Sequence, residues 1–334
     1  MKISISKDSF NESLKELQKD YRIFAPKVFP YAGTFSDTDL IKYSEISTVE
    51  EMAFHEKSDF SPKEVTLPMT QILFHFNEKE FTEAKEEEKG AIIFLRACDM
   101  HAVKRVDAIY LQNKFEDFYY KRVRDKVKFV VVGCHKSFDS CFCVSMGSNR
   151  YDDYHMGLNF RDNELLLDIK DSLFDIFKGE EKEFQMDFVT ENEVKVEVPE
   201  NIELSDVINL DLWREYDSRC VACGKCNFVC PTCTCFSTQD IAYSENGKVG
   251  ERRRVWASCH VDGFTDMAGG HNFRQKHGDR MRFKVMHKIS DFKKRFGYHM
   301  CIGCGRCDDA CPEYISFSNC INKLNKELKG GAND

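Results

Sequence analysis

Two cysteine runs near the C-terminal end carry the chemistry most legible in this sequence. Cys220, Cys223, Cys226 and Cys230 precede Pro231, and Cys301, Cys304, Cys307 and Cys311 precede Pro312. Both runs read C-x2-C-x2-C-x3-C-P. This is the ligand run of bacterial ferredoxins, in which three thiolates hold one [4Fe-4S] cube and the fourth crosses to its neighbour. Three cysteines on one tight turn supply only one face of a cube, so the crossing follows from the ligand count. It places Cys311 with Cys220, Cys223 and Cys226 on the first cluster, and Cys230 with Cys301, Cys304 and Cys307 on the second. Gly224, Gly303 and Gly305 suit turns that bring backbone N–H groups toward cluster sulfides.

Structural zinc is the first alternative, but a zinc site closes with four ligands, which leaves cysteines over in each run. A disulfide framework is the second. The opening residues 1–10 are polar and do not read as a secretory signal, so an oxidising compartment is not expected and a cytoplasmic protein is.

Four more cysteines gather upstream. Residues 91–95 and 127–132 are short apolar runs of the kind that form buried parallel strands, and residues 100–111 between them read as a helix. In such a βαβ unit, ligands bind beyond the carboxyl ends of the strands. Cys98 and Cys134 lie there, and Cys141 and Cys143 follow in the next loop, so a third iron–sulfur cluster on these four thiols is expected. The alternative is that Cys98 and Cys134 are small buried apolar residues. Cys233, Cys235 and Cys259 are either another site or packing, and Cys320 has no assigned role.

The remaining elements must position these thiols. Phe10, Leu14 and Leu17 recur at helical spacing, so residues 8–19 read as an amphipathic helix capped by Asp8 or Ser9. Residues 21–24 read as a strand stopped by Pro26, and Val194, Val196 and Val198 alternate like a half-buried strand. About seventy residues separate the two cysteine runs. Their pieces suggest helices rather than a hairpin, above all the stripe Phe283, Met286, Ile289 and Phe292. The expected fold class is α+β: an N-terminal α/β domain with a parallel βαβ unit over residues 1–205, then an α-helical two-[4Fe-4S] ferredoxin domain over residues 206–334.

The formal charge of −8 argues against a nucleic-acid partner, and no apolar run approaches a membrane span. Residues 251–295 nevertheless hold twelve Lys and Arg against five Asp and Glu. Arg252, Arg253 and Arg254 are the densest part, and either dock an acidic partner or form a solvated face.

A family resemblance rests on the two runs, the extension Cys233-Thr234-Cys235-Phe236, and the stretch Gly269-Gly270-His271-Asn272-Phe273-Arg274. The upstream Arg96-Ala97-Cys98-Asp99 and Cys141-Phe142-Cys143 add to it. The chain resembles the iron–sulfur relay component of anaerobic sulfite reductases, a family shared with the iron–sulfur β subunits of cytosolic sulfhydrogenases. The resemblance implies an electron relay in a heteromeric complex. Electrons would come from a flavin/iron–sulfur subunit that oxidises NADH and go to a siroheme subunit that reduces sulfite to sulfide. In the alternative, the chain is the β subunit of a sulfhydrogenase or another redox complex, or a stand-alone cluster-dependent thiol/disulfide reductase. The chain itself carries no strand followed by G-x-G-x-x-G for a dinucleotide. Siroheme spacings could be extracted only by reusing the ferredoxin cysteines, so it is read as a non-catalytic subunit.

Overall fold

The computed structural model describes residues 1–330. In chain order its strands are β1 (Lys2–Ile5), β2 (Tyr21–Phe29), β3 (Leu40–Glu45), β4 (Thr70–Phe76), β5 (Phe81–Glu83) and β6 (Gly90–Arg96). They continue with β7 (Val127–Val132), β8 (Met156–Phe160), β9 (Leu165–Ile169), β10 (Glu180–Glu181), β11 (Phe236–Ala242) and β12 (Gly250–Trp256). Eight of them form one mixed sheet in the order β10-β1-β9-β8-β7-β6-β2-β3. Its centre is parallel: β2 pairs with β6, β6 with β7 and β7 with β8. The central strands β6 and β7 are apolar through their middles because both faces are covered, as parallel strands require. Phe94, Leu95, Val130 and Val131 are fully buried.

The βαβ unit read from the sequence is present, with the helix Ala97–Tyr110 joining β6 to β7. The first helix spans Lys7–Leu17 and packs Phe10, Leu14 and Leu17 into the core. Its cap is Ser6, not Asp8 or Ser9: the Ser6 hydroxyl accepts the Ser9 N–H at 3.2 Å. Pro26 does not stop the strand that contains it. β6 pairs with β2 only over Tyr21–Phe24, so from residue 25 onward the strand has β3 alone as neighbour and a missing N–H is tolerated there.

The insert between the cysteine runs departs from the sequence reading in its first half. β11 and β12 form a hairpin, and β12 continues onto β4 and β5, giving the sheet order β11-β12-β4-β5. The arginine-rich segment is a strand in which Arg252 and Arg254 find ion-pair partners on neighbouring elements and Arg253 on its own strand. The second half is helical as expected, over His277–Met286, a π turn His287–Asp291, and Phe292–Phe296. Residues 194–198 are not a strand; Val196 is buried and packs with Trp213, Met281 and Ile321 in a second core. The boundary expected near residue 205 is crossed by the second sheet, which takes β4 and β5 from one side and β11 and β12 from the other.

Candidate iron–sulfur centre

Each ferredoxin-type run folds as a turn followed by one helical turn, Lys225–Phe228 in the first and Arg306–Asp309 in the second. Each short helix starts from a left-handed glycine, Gly224 at φ 75° and Gly305 at φ 70°. A side chain at Gly305 would stand 2.2 Å from the Ser140 carbonyl oxygen, so only glycine fits.

Cys220, Cys223, Cys226 and Cys311 line one cavity, together with Cys307, His260 and Lys284. Two thiols of the opposite run, Cys307 and Cys311, thus reach the cavity of the first. Burial, and after it the neighbouring thiols of Cys226, Cys223 and Cys311, raises the Cys220 pKa. His260 is almost wholly buried, and its Nε2 has no hydrogen-bond partner among the described residues. An acceptor in the cavity such as a cluster sulfide would satisfy it.

The second group is deeper. Cys230 neighbours Cys301, Cys304 and Cys307. Burial pushes the Cys301 thiol up to about 12 and raises Cys304 and Cys307. Cys230 moves the other way, below the thiol range, because Cys233 donates a hydrogen bond to it and Lys288 stands nearby. Lys288 Nζ lies 3.5 Å from Cys230 Sγ and 2.7 Å from Thr232 Oγ1.

The third group also assembles. Cys98 lies in the first turn of the helix after β6, and Cys134 follows β7. Cys143 has Cys141 and Cys134 as neighbours, and Cys98 has Cys143. Burial pushes Cys143 up to about 12, against a contact from Asn192 Nδ2 at 3.6 Å. Arg96 donates to Cys134 Sγ at 3.1 Å. This group abuts the second one: the Phe142 N–H donates to the Gly303 carbonyl at 2.8 Å, and Cys98 packs with Ile302 and Cys304. The first group therefore adjoins the second, and the second the third.

Three buried lysines, Lys63, Lys284 and Lys288, join the site without having stood out in the sequence. An ammonium group taken out of water needs a counter-charge. The groups facing these three include the cysteine thiols. Burial favours discharge of Lys284, but Cys226 of the first group and Cys307 of the second outweigh it and raise its pKa. Lys63, pulled down to about 8 by burial, donates to the carbonyls of Cys230 at 3.0 Å and Cys233 at 2.8 Å. Anionic thiolate-ligated clusters are the counter-charge that this arrangement fits. The signal that could have found Lys284 and Lys288 is two lysines four apart inside an apolar helical stripe; nothing in the sequence marks Lys63.

The remaining cysteines separate. Cys320 is a core residue hydrogen-bonded to Tyr216, and burial pushes it up to about 11. Cys233, Cys235 and Cys259 sit at the base of the β11–β12 hairpin beside Cys230. The arginines are not a free basic patch: Arg252 pairs with Asp240 at 2.7 Å, Arg253 with Glu251, and buried Arg254 with Asp117 at 2.8 Å. Among the described residues no three His, Cys, Asp or Glu side chains converge on a single-ion position. No helix there is long and apolar enough to cross a membrane.

Residues 219–315 match the family model of the 4Fe-4S dicluster domain, so this stretch is an iron–sulfur electron-transfer module. Over its length the chain is 26% identical, across 348 aligned residues, to sulfhydrogenase 2 subunit beta of Pyrococcus furiosus. The alignment covers 98% of this chain and 99% of that protein. No solved structure matches the chain.

Proposed function

We propose that this chain is the iron–sulfur electron-transfer subunit of a sulfhydrogenase-type complex, and that it holds three [4Fe-4S] clusters in series. The first would be held by Cys220, Cys223, Cys226 and Cys311, the second by Cys230, Cys301, Cys304 and Cys307, and the third by Cys98, Cys134, Cys141 and Cys143. When bound, each cluster supplies a one-electron couple whose potential depends on burial and on hydrogen bonds to sulfur. The polypeptide buries Cys304 of the second site, sets Lys284 between the first two, and anchors the third through the Phe142–Gly303 hydrogen bond. The observation that carries the reading is the serial contact of three four-thiol groups. Residues 1–205 would carry the third cluster and residues 206–334 the first two, with the second sheet joining the two parts.

The relative's full-length alignment favours the sulfhydrogenase assembly over the sulfite reductase one, whose support is motif resemblance. Anaerobic co-purification decides both questions. The expected result is about twelve irons per chain in a complex containing nickel; siroheme in the partner would restore the sulfite reading. About eight irons would remove the third cluster, and a colourless chain would remove the whole proposal.

A further inference from the structure

We propose that Cys235 and Cys259 form a redox-active dithiol, a two-electron site beside the one-electron cluster sites. Neither thiol belongs to the three four-thiol groups. Cys235 immediately precedes β11 and Cys259 lies in the turn after β12. The hairpin pairs Phe236 with Trp256, and the Ala257 N–H extends the ladder by donating to the Cys235 carbonyl at 2.9 Å. The turn then brings the Cys259 thiol beside that of Cys235, and the interaction of the two lowers Cys235 and raises Cys259. Asn227, 1% exposed, holds this arrangement: its Nδ2 donates to Cys259 Sγ at 3.1 Å and to Ser258 Oγ at 2.9 Å. The neighbouring Cys259 thiol, with Lys288 and Lys63 behind it, lowers Cys235 to about 6, which makes it the attacking thiolate at neutral pH.

The pair is joined to the second cluster site within one short segment. Cys233, two residues before Cys235, hydrogen-bonds to Cys230, and Lys63 clamps the carbonyls of both Cys230 and Cys233. On oxidation the Cys235 thiolate and the Cys259 thiol lose two electrons and one proton, and one S–S bond forms. One electron goes to each of two oxidised [4Fe-4S] clusters and the proton to solvent; reduction runs the same transfers backward. This link to the clusters rests on the proposed function, whereas the dithiol itself does not.

The anaerobic full-length protein is equilibrated with oxidised and reduced dithiothreitol in graded ratios, acid-quenched, alkylated and digested. The added oxidised dithiothreitol accepts two electrons and returns as the dithiol. Expected is a Cys235–Cys259 cross-linked peptide that rises across the series to become the main species and disappears on return to the reduced buffer. Cys259→Ser abolishes it while the cluster absorbance and iron content stay unchanged. Separate alkylation of both cysteines at every ratio overturns the proposal, as does loss of iron in Cys259→Ser, which would make the pair cluster ligands. A colourless protein that still forms the cross-link sinks the cluster relay alone. A coloured one without it sinks the dithiol alone.

Discussion

The two ferredoxin-type runs share one spacing and occupy different surroundings. In the first, Val221 is 54% exposed, Cys223 is exposed and Lys225 faces solvent. At the matching positions of the second, Ile302 is 2% exposed, Cys304 is buried and Arg306 is buried in an ion pair with Asp99. The turn residue differs too. Ala222 holds φ 54° where the second run has Gly303 at φ 65°, because a side chain there would meet the Phe142 backbone at 2.5 Å. Identical ligand arithmetic thus serves a surface site and an interior one. In the proposed relay, the first site exchanges electrons with a partner and the second passes them inward.

The largest effect is expected at a ligand. Cys304→Ser should remove about four irons and disturb the third site packed against it, whereas Cys223→Ser should remove about four and leave the rest intact. Iron analysis with circular dichroism of the two variants reads this; equal structural damage would refute the surface-versus-interior contrast. Next comes Arg306, whose guanidinium donates to both Asp99 oxygens at 2.7 and 2.9 Å and to the Ser58 carbonyl. Arg306→Met strands a buried carboxylate and should cost about 3–5 kcal/mol in denaturant melts. Lys225→Met should cost under about 0.5 kcal/mol.

Lys284 sharpens the contrast differently, since it faces both sites while Lys288 faces the second. Lys284→Met should lower both midpoint potentials in an EPR-monitored titration, and Lys288→Met only that of the interior cluster. A tenfold change in the reduced fraction at fixed potential corresponds to about 59 mV; identical shifts from both variants would contradict the geometry. A small gain belongs to Ala222→Gly, which relieves a left-handed alanine and should stabilise the surface turn by about 1 kcal/mol. Thermal melts of the reconstituted protein measure it.

Much of the site is legible in the sequence because cluster ligation fixes residue type and spacing together. The pairing of Cys311 with the first run follows from ligand count, and the cavity of that run is lined by Cys311 and Cys307 alike. The upstream four emerge from strand ends rather than from a motif. The hairpin is illegible because an arginine-rich strand lacks apolar alternation; its order comes from the ladder to β4 and from partners such as Asp117, 137 positions away. Pro26 misleads because the length of the partner strand is not written locally. The lysines stay hidden since their burial is decided by the thiols opposite them.

The shared sheet has a consequence for dissection of the molecule. β12 is an interior strand only because β4, from the first hundred residues, lies along it. A fragment starting at residue 206 would carry β12 with a raw flank of unpaired N–H and C=O groups, and raw flanks recruit other chains. Such a truncation should aggregate rather than yield a miniature ferredoxin.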